Sequence, residues 1–258
     1  MVKTTVGIVT WNSLVKVDRL LESFLRFHDP DEYKIIVSDN GSTDGTQAMV
    51  GDKYPQVELI ENGANLGVAK ARNKTIRLRA GRHMALLDDD LEFHDAALDI
   101  LCERLESFPD VAVAAPRLHY PDGTLQHSCR TFQTIAPIVL RGSPLGKLFP
   151  DSKIVRNHLM IDADHSVEQF VDWTLGACHL IHGDHLNRIG ELDEKYFYLY
   201  EDVDFCYRAQ KLGLKVLYVP STTVTHHYRR KSAQSFNKMT VHHIGSIARY
   251  FWKHRNIF

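Results

Sequence analysis

Short apolar runs, each stopping abruptly on polar residues, constrain the fold of this chain more than any other feature. Val6 to Thr10 is the first, and Leu14, Val17, Leu21, Phe24 and Leu25 then recur at the spacing of an amphipathic helix. Ile35-Ile36-Val37 repeats the pattern and ends in Ser38 to Gly45, a stretch of turn formers and helix caps. Val57 to Ile60 reads as a third strand, Val68 to Arg79 as a helix, and Met84 to Leu87 as a fourth strand. Ala96 to Glu106 reads as a helix with Ala97, Ile100, Leu101 and Leu105 on one face. This alternation predicts an α/β fold, a mainly parallel central sheet with helices on both faces. With 258 residues, 44% of them hydrophobic, the chain can bury one large core.

Parallel strands bring their carboxyl ends to one edge of a sheet, where ligands bind. Thr10-Trp11-Asn12, Asp39-Asn40 and Asp88-Asp89-Asp90 each follow a strand directly, so three clusters distant in sequence converge on one rim. The acidic cluster cannot extend the buried run before it without heavy desolvation and repulsion, and so must lie open to water. Carboxylates gathered there can hold a hard divalent cation and manage phosphate charge. From Pro116 to about Val167 the texture changes to loops and short strands, broken by Pro121-Asp122-Gly123, Gly142-Ser143-Pro144 and Gly146. A compact half follows: strand-like Phe170 to Leu175, a helix from Asp202 to Leu212, and strand-like Lys215 to Val219.

Several function classes are disfavoured. A net charge of -1 gives no sign of a nucleic-acid binder. The four cysteines form no C-x-x-C pair and Met1-Val2-Lys3 opens no secretory leader, so a reducing cytoplasm is the expectation. The apolar runs fall far short of the roughly 20 residues that span a bilayer. Gly41 to Thr46 lacks the lysine of a P-loop, and Asn62 to Gly67 lacks dinucleotide glycine spacing. An EF-hand read from Asp88 would need glycine where Phe93 stands and glutamate where Asp99 stands.

Taken in order, the remaining motifs resemble family 2 of the nucleotide-sugar glycosyltransferases, which have the GT-A fold. They are Val9 to Ser13, Asp39 to Thr46, Asn62 to Gly67, Ala71-Arg72-Asn73, Asp88-Asp89-Asp90, Pro116-Arg117-Leu118 and Tyr120 to Gly123. Val171-Asp172-Trp173, Gly176-Ala177-Cys178, Gly190 to Glu194, Tyr200 to Asp204 and Thr225-His226-His227 complete the set. The match covers roughly residues 4 to 232, and its flavour resembles the bacterial rhamnosyltransferase-like branch. The resemblance implies a GT-A domain over residues 1–232, with a nucleotide-sugar half to about 115 and a smaller, mixed acceptor-side half over 116–232. Residues 233–258 would form an added helical segment.

The resemblance also assigns roles. Asp88 and Asp90 would supply oxygens to Mg2+ or Mn2+ bridging the donor diphosphate, with Asp90 the firmer ligand and His226 completing the shell. An aspartate at the middle position, Asp89, departs from many relatives and leaves open which two of the three bind; His227 is a neighbouring alternative to His226. Thr10 and Asn12 would line the base pocket, Asp39 would accept from a base imide N–H, with Asn40 and Ser42 nearby, favouring uracil or thymine. Asn65 and Gly67 would let backbone approach the nucleotide, and Arg72 would contact it or support the site. Asp202, or alternatively Glu201, would act as base on an acceptor hydroxyl in an inverting displacement.

Trp173 would form an acceptor platform or pack the core, and Gly176, Ala177 and Cys178 would make room beneath the donor sugar. The expected reaction moves rhamnose or another hexose from a TDP- or UDP-sugar to a saccharide or lipid-linked saccharide in bacterial surface polysaccharide synthesis. A basic, aromatic tail over residues 241–258 could rest on the inner face of the plasma membrane or simply pack as a helix. Two other classes stand against this reading: a non-catalytic nucleotide-sugar-binding subunit, and a sugar nucleotidyltransferase. The intact acidic motifs count against the first, and the missing lysine-containing phosphate loop against the second.

Overall fold

The computed structural model describes residues 2–142, 152–228 and 238–255. β1 (Thr4–Thr10), β2 (Tyr33–Asp39), β3 (Glu58–Glu61) and β4 (His83–Asp88) form on the four apolar runs. α1 (Leu14–Phe27), α2 (Thr46–Lys53), α3 (Val68–Arg77) and α4 (Ala97–Ser107) follow them in alternation. Val17, Leu20, Leu21 and Phe24 of α1 are buried together, the i, i+3, i+4, i+7 stripe of a helix laid on a sheet. Beyond lie β5 (Leu91–Phe93), β6 (Val111–His119), β7 (Leu125–Gln126), β8 (Cys129–Arg130), α5 (Ile135–Gly142) and α6 (Lys153–His158). The chain continues through β9 (Gln169–Val171), β10 (Trp173–Thr174), β11 (Cys178–His182), α7 (Gly183–Ile189), α8 (Glu201–Lys211), β12 (Lys215–His226) and α9 (Lys238–Lys253).

The central sheet runs β3-β2-β1-β4-β11-β6-β12-β5, with β7 on β6 and β9 on β12. Its first four strands are mutually parallel, as are β6 and β12, whereas β11 lies antiparallel between β4 and β6. Helices cover both faces, and alternate residues of β4 feed two cores. Ala85 and Leu87 join α1 and α4, while Met84 and Leu86 join the side carrying Val203, Phe205 and Cys206 of α8.

Three local departures from the sequence pattern have physical causes. β11 is a full strand although His179 and His182 interrupt its apolar run; the buried His179 ring meets the Thr174 hydroxyl at 2.8 Å. The run Phe170 to Leu175 divides at Asp172, whose carboxylate accepts from the Phe132 N–H at 2.8 Å. The strand expected to end at Val219 continues to His226, across a register shift between Val219 and Thr223. Pro220, with no N–H for the ladder, lies within that shift. β6 went unread in the sequence and is a long, almost wholly buried strand. The breakers Ser143, Pro144 and Gly146, and the expected boundary at 232, lie outside the described residues.

α9 seats on two acidic residues, Asp193 ahead of α8 and Asp204 within it. Asp193 accepts from Arg249 at 2.6 Å and Lys253 at 2.8 Å. Asp204, fully buried, meets His254 at 2.8 Å, Lys253 at 2.7 Å and Arg208 at 2.8 Å. Burial opposes ionisation of Asp204, but these donors outweigh it and hold its carboxyl well below the usual range. A buried carboxylate this enclosed leaves stranded cations when removed. Asp204→Asn should therefore lose about 3–5 kcal/mol in urea unfolding at pH 7. Because the folded pKa is depressed, the difference should be fully present above about pH 4 and shrink as pH falls toward the folded value. A loss below about 0.5 kcal/mol, as for an ordinary surface change, would show the network to be inert.

Candidate active site

The parallel register sets the rim. Thr10 ends β1 beside Asp39 of β2, and Val9 lies beside Asp88 of β4. β6 runs parallel to β4 because β11 is antiparallel to both, and β12 follows β6, so His226 arrives at the same edge.

The acidic cluster divides there. Asp88 Oδ2 lies 4.0 Å from His226 Nε2, and Asp90 Oδ1 lies 3.1 Å from the same nitrogen. One ligand atom from each of Asp88, Asp90 and His226 falls within 4.8 Å of the others, the one such group among the described residues. Two carboxylate oxygens and an imidazole nitrogen suit a hard or borderline divalent cation, which would also relieve the repulsion of the carboxylates. Asp89 turns back instead, accepting from Thr10 Oγ1 at 2.9 Å. Burial and the Asp90 charge push its carboxyl up to about 6. His227 also faces away, toward Glu92 at 2.8 Å and Arg19 at 3.0 Å. Two residues not singled out in the sequence complete the cluster. Lys16 Nζ donates to Asp90 Oδ2 at 2.9 Å, and His226 Nδ1 donates to Gln126 Oε1 at 2.8 Å. Lys16 carries only a helix-spacing signal and Gln126 none.

Arg72 joins this cluster to the acidic pair. Its guanidinium is buried and donates through Nη2 to Asp88 Oδ1 at 2.6 Å and the Gly176 carbonyl at 2.7 Å. Its Nη1 lies 3.4 Å from Glu201 Oε1. The geometry supports the site rather than presenting the guanidinium to solvent. Asp202 Oδ2 accepts from the Gly176 N–H at 2.9 Å and Oδ1 from the Val203 N–H at 2.8 Å. Burial raises both Glu201 and Asp202 above the usual carboxylate range. Glu201 is sealed in with Arg72, and its Oε2 has no protein partner, whereas Asp202 is partly open. Gly176 permits this closeness, since a Cβ there would stand 2.8 Å from Asp202 Cβ and 3.2 Å from Arg72 Nη1.

The remaining candidates form the cradle along the rim. Asp39, fully buried, accepts from the Gly41 and Ser42 N–H groups at 3.0 and 2.8 Å, from Gln47 at 2.6 Å, and from the Ser42 hydroxyl. Its Oδ2 is thus taken up by its own turn, and Oδ1 keeps spare acceptor capacity. Asn12, at φ 50°, donates its N–H to Ser42 Oγ at 2.8 Å and accepts from the Thr43 N–H at 2.8 Å, tying two rim loops together. Asn40 is buried and bridges to Asn62 at 3.1 Å. Asn65 accepts from the Gly67 N–H at 3.0 Å. Gly67 has φ +82°, and a Cβ there would meet the Phe197 carbonyl at 2.6 Å. Trp11 stands half exposed beside Asn12.

Trp173 is only 5% exposed and its indole N–H donates to the Thr131 carbonyl at 2.9 Å. Of the two expectations for Trp173, this burial favours core packing. Ala177 and Cys178 are buried; the Ala177 carbonyl accepts from the Asp88 N–H at 2.8 Å, and burial pushes the Cys178 thiol up. Gly176 and Ala177 therefore shape the floor through backbone, with Cys178 packed beneath it.

A mainly parallel α/β sheet with an Asp-Asp-His cluster at its carboxyl rim is the architecture of the GT-A fold. A solved structure of GalNAc-T7 with UDP, GalNAc and Mn2+ superimposes with a TM-score of 0.69 at 15% identity over 96% of this chain. The present chain spans 48%, about half, of that one. The glycosyl transferase family 2 description matches residues 5–164. The chain belongs to glycosyl transferase family 2. It is 29% identical over 250 residues to the N-acetylglucosaminyl-diphospho-decaprenol L-rhamnosyltransferase of Mycobacterium tuberculosis, covering 91% of this chain and 80% of the relative. It is 25% identical over 254 residues to rhamnosyltransferase WbbL of Escherichia coli, covering 93% and 89%. No described helix is long and apolar enough to cross a membrane.

Gly176→Ala tests the floor directly. The added methyl should displace Asp202 and Arg72 and lower kcat roughly 100-fold, with stability changing by about 1–3 kcal/mol. Single-turnover rates and urea midpoints measured side by side check it. A folded variant with wild-type turnover would show that this contact does not place Asp202.

Proposed function

We propose that the chain is a metal-dependent inverting glycosyltransferase, moving rhamnose or another hexose from a TDP- or UDP-sugar to a hydroxyl of a lipid-linked saccharide in bacterial surface polysaccharide synthesis. The observation that carries the reading is the Arg72 bridge, which holds a cation-ready carboxylate cluster and a separate acidic pair on opposite sides of one buried guanidinium. The first relative's name, with its diphospho-decaprenol acceptor and rhamnosyl donor group, supports this choice of substrates.

The geometry supports a division of labour. Asp88, Asp90 and His226 would hold Mg2+ or Mn2+, which when bound supplies Lewis-acid stabilisation of the departing nucleoside diphosphate. Thr10, Asn12, Asp39, Asn40 and Ser42 form the base end of the cradle, and Asn65 and Gly67 its closely approaching backbone. Asp89 acts indirectly, through Thr10. Asp202, oriented by two backbone N–H groups, accepts the proton of the acceptor hydroxyl as that oxygen attacks the anomeric carbon and the diphosphate leaves. Its raised pKa makes it a stronger base than an ordinary carboxylate. Glu201, sealed against Arg72, holds the guanidinium in place. Residues 1–232 would carry the whole reaction, donor half before about 115 and acceptor half after. The outer face of α9, with Val241, Ile244 and Trp252 exposed and Arg255 stacked on Trp252, would rest on the inner leaflet near the acceptor.

A donor panel with Mn2+ tests the reading: a TDP- or UDP-sugar should stabilise the protein and yield nucleoside diphosphate in step with glycoside, and EDTA should abolish turnover. No response to any such donor would overturn it. Asp202→Asn should lower kcat by roughly 100- to 10,000-fold while leaving donor affinity near wild type. In the wild type, kcat/KM should fall as pH drops through the raised pKa of Asp202, because the protonated form cannot accept the acceptor proton; an acid limb centred at the ordinary value of about 3.9 would argue for another base.

A further inference from the structure

The hairpin between β6 and β7 contributes no side chain to the chemistry above, yet its turn is closely built. The Tyr120 N–H donates to the Thr124 carbonyl at 2.9 Å, and the Gly123 N–H to the Tyr120 carbonyl at 2.9 Å. Asp122 Oδ1 accepts from the Thr124 N–H at 2.9 Å, an Asx turn, and Gly123 takes φ +80°. This reversal pairs β7 with β6 and sets Gln126 opposite Leu118. From there the Gln126 side chain, 2% exposed, reaches His226.

The chemistry of that contact is directional. An amide oxygen only accepts, so a 2.8 Å approach of Gln126 Oε1 to His226 Nδ1 keeps the ring proton on Nδ1. Nε2 is then the ring nitrogen turned to the carboxylates, 3.1 Å from Asp90 and 4.0 Å from Asp88, and the one that would offer its lone pair to a cation bound there. The other end of the amide, Gln126 Nε2, is buried with no protein partner, so the contact that orients this side chain is made by its oxygen. Reversing the amide would place an N–H against Nδ1, move the ring proton to Nε2 and close that atom to a cation.

We infer that Gln126 is a positioning residue that fixes the tautomer and ring orientation of His226 and thereby sets the site's affinity for a divalent cation. This rests on the metal reading of Asp88, Asp90 and His226 given above. It also explains the Tyr120-Pro121-Asp122-Gly123 turn as the device that delivers Gln126 to the rim. A glutamate at this position accepts as the amide oxygen does and holds the proton on Nδ1 more firmly, whereas leucine fills the space without accepting. A bond that merely ties β7 to β12 predicts the opposite order, because a buried charge should disturb packing more than an apolar side chain does.

The experiment is a Mn2+ titration of donor-free protein, read from the EPR signal of free Mn2+, for wild type, Gln126→Leu, Gln126→Glu and His226→Ala. Gln126→Leu should weaken Mn2+ binding roughly 10- to 100-fold, as for loss of an outer partner of a metal-bound histidine, and Gln126→Glu should match or exceed wild type. Wild-type affinity in Gln126→Leu, with His226→Ala weakened, overturns the positioning role alone. Wild-type affinity in His226→Ala shows that the ligand assignment itself is wrong and overturns both. Metal-free circular dichroism checks folding of each variant. Should Gln126→Leu not fold, a loss of Mn2+ affinity in folded Gln126→Glu still overturns the inference, and retention there with His226→Ala weakened meets its expectation.

Discussion

Arg72 is the buried charge on which the rest of the site depends. It leaves α3 and ends between Asp88, the Gly176 carbonyl and Glu201, with its side chain 3% exposed. Removing a guanidinium from water is costly, and only well-aimed acceptors offset that cost. Here the acceptors come from three separate stretches of chain: the end of β4, the approach to β11 and the start of α8. The arrangement ties their relative positions to one planar fork of donors, which a flexible ammonium would not reproduce. Arg72 Nε and Glu201 Oε2 lack protein partners, so the network's interior is not fully satisfied by the chain itself. Polar groups left over in this way are frequent where a site is built to act on a ligand rather than to maximise stability.

Charge around the rim is arranged by the same logic. Three adjacent aspartates would repel if all pointed into one space, and the strand end separates them. Asp89 alternates away to Thr10, while Asp88 and Asp90 share one side with His226. Lys16 and Arg72 then stand as one cation on each of the two converging carboxylates. The pair is held ready without being neutralised outright, because each carboxylate keeps one oxygen toward His226. The turn at Asp89 and Asp90, directly after β4 ends at Asp88, decides which two of the three consecutive carboxylates converge.

That decision was latent in the sequence but could not be read from it. The strands of the first half were legible because apolar runs and polar stops coincide there, and a parallel sheet then forces Thr10, Asp39 and Asp88 to one edge. His226 was legible only by family likeness; its arrival at the rim depends on β12 running past Pro220, where the local pattern signals a stop. β6 and β11 were missed for opposite reasons. β6 is built from valines and small alanines without a distinctive period, and β11 carries histidines whose burial is made tolerable by partners such as Thr174. Trp173 shows the limit of residue type as a guide, since an aromatic ring serves equally in a platform or a core, and its burial with a hydrogen bond to Thr131 appears only in the fold. Gln126 carried no local signal, because its contact with His226 spans 100 residues.

The segment just before the acidic pair links the turn at Gly67 to the terminal helix. Leu199 and Tyr200 both adopt left-handed backbone, at φ 61° and 76°, an unfavourable state for residues of this size that persists only when surroundings over-determine it. The surroundings do so from two directions. The Phe197 carbonyl accepts from the Val68 N–H at 2.9 Å, at the point where Gly67 alone leaves room for it. The Tyr198 carbonyl accepts from Ser246 of α9 at 3.0 Å, and the His242 ring stacks on Phe197 with centroids 4.2 Å apart. The stretch that launches Glu201 and Asp202 is therefore gripped between the Gly67 turn and the terminal helix. A shift at Gly67 on one side, or of α9 on the other, has a direct covalent and hydrogen-bonded route to Asp202, and the strained turn between them gives that route little slack to absorb the motion.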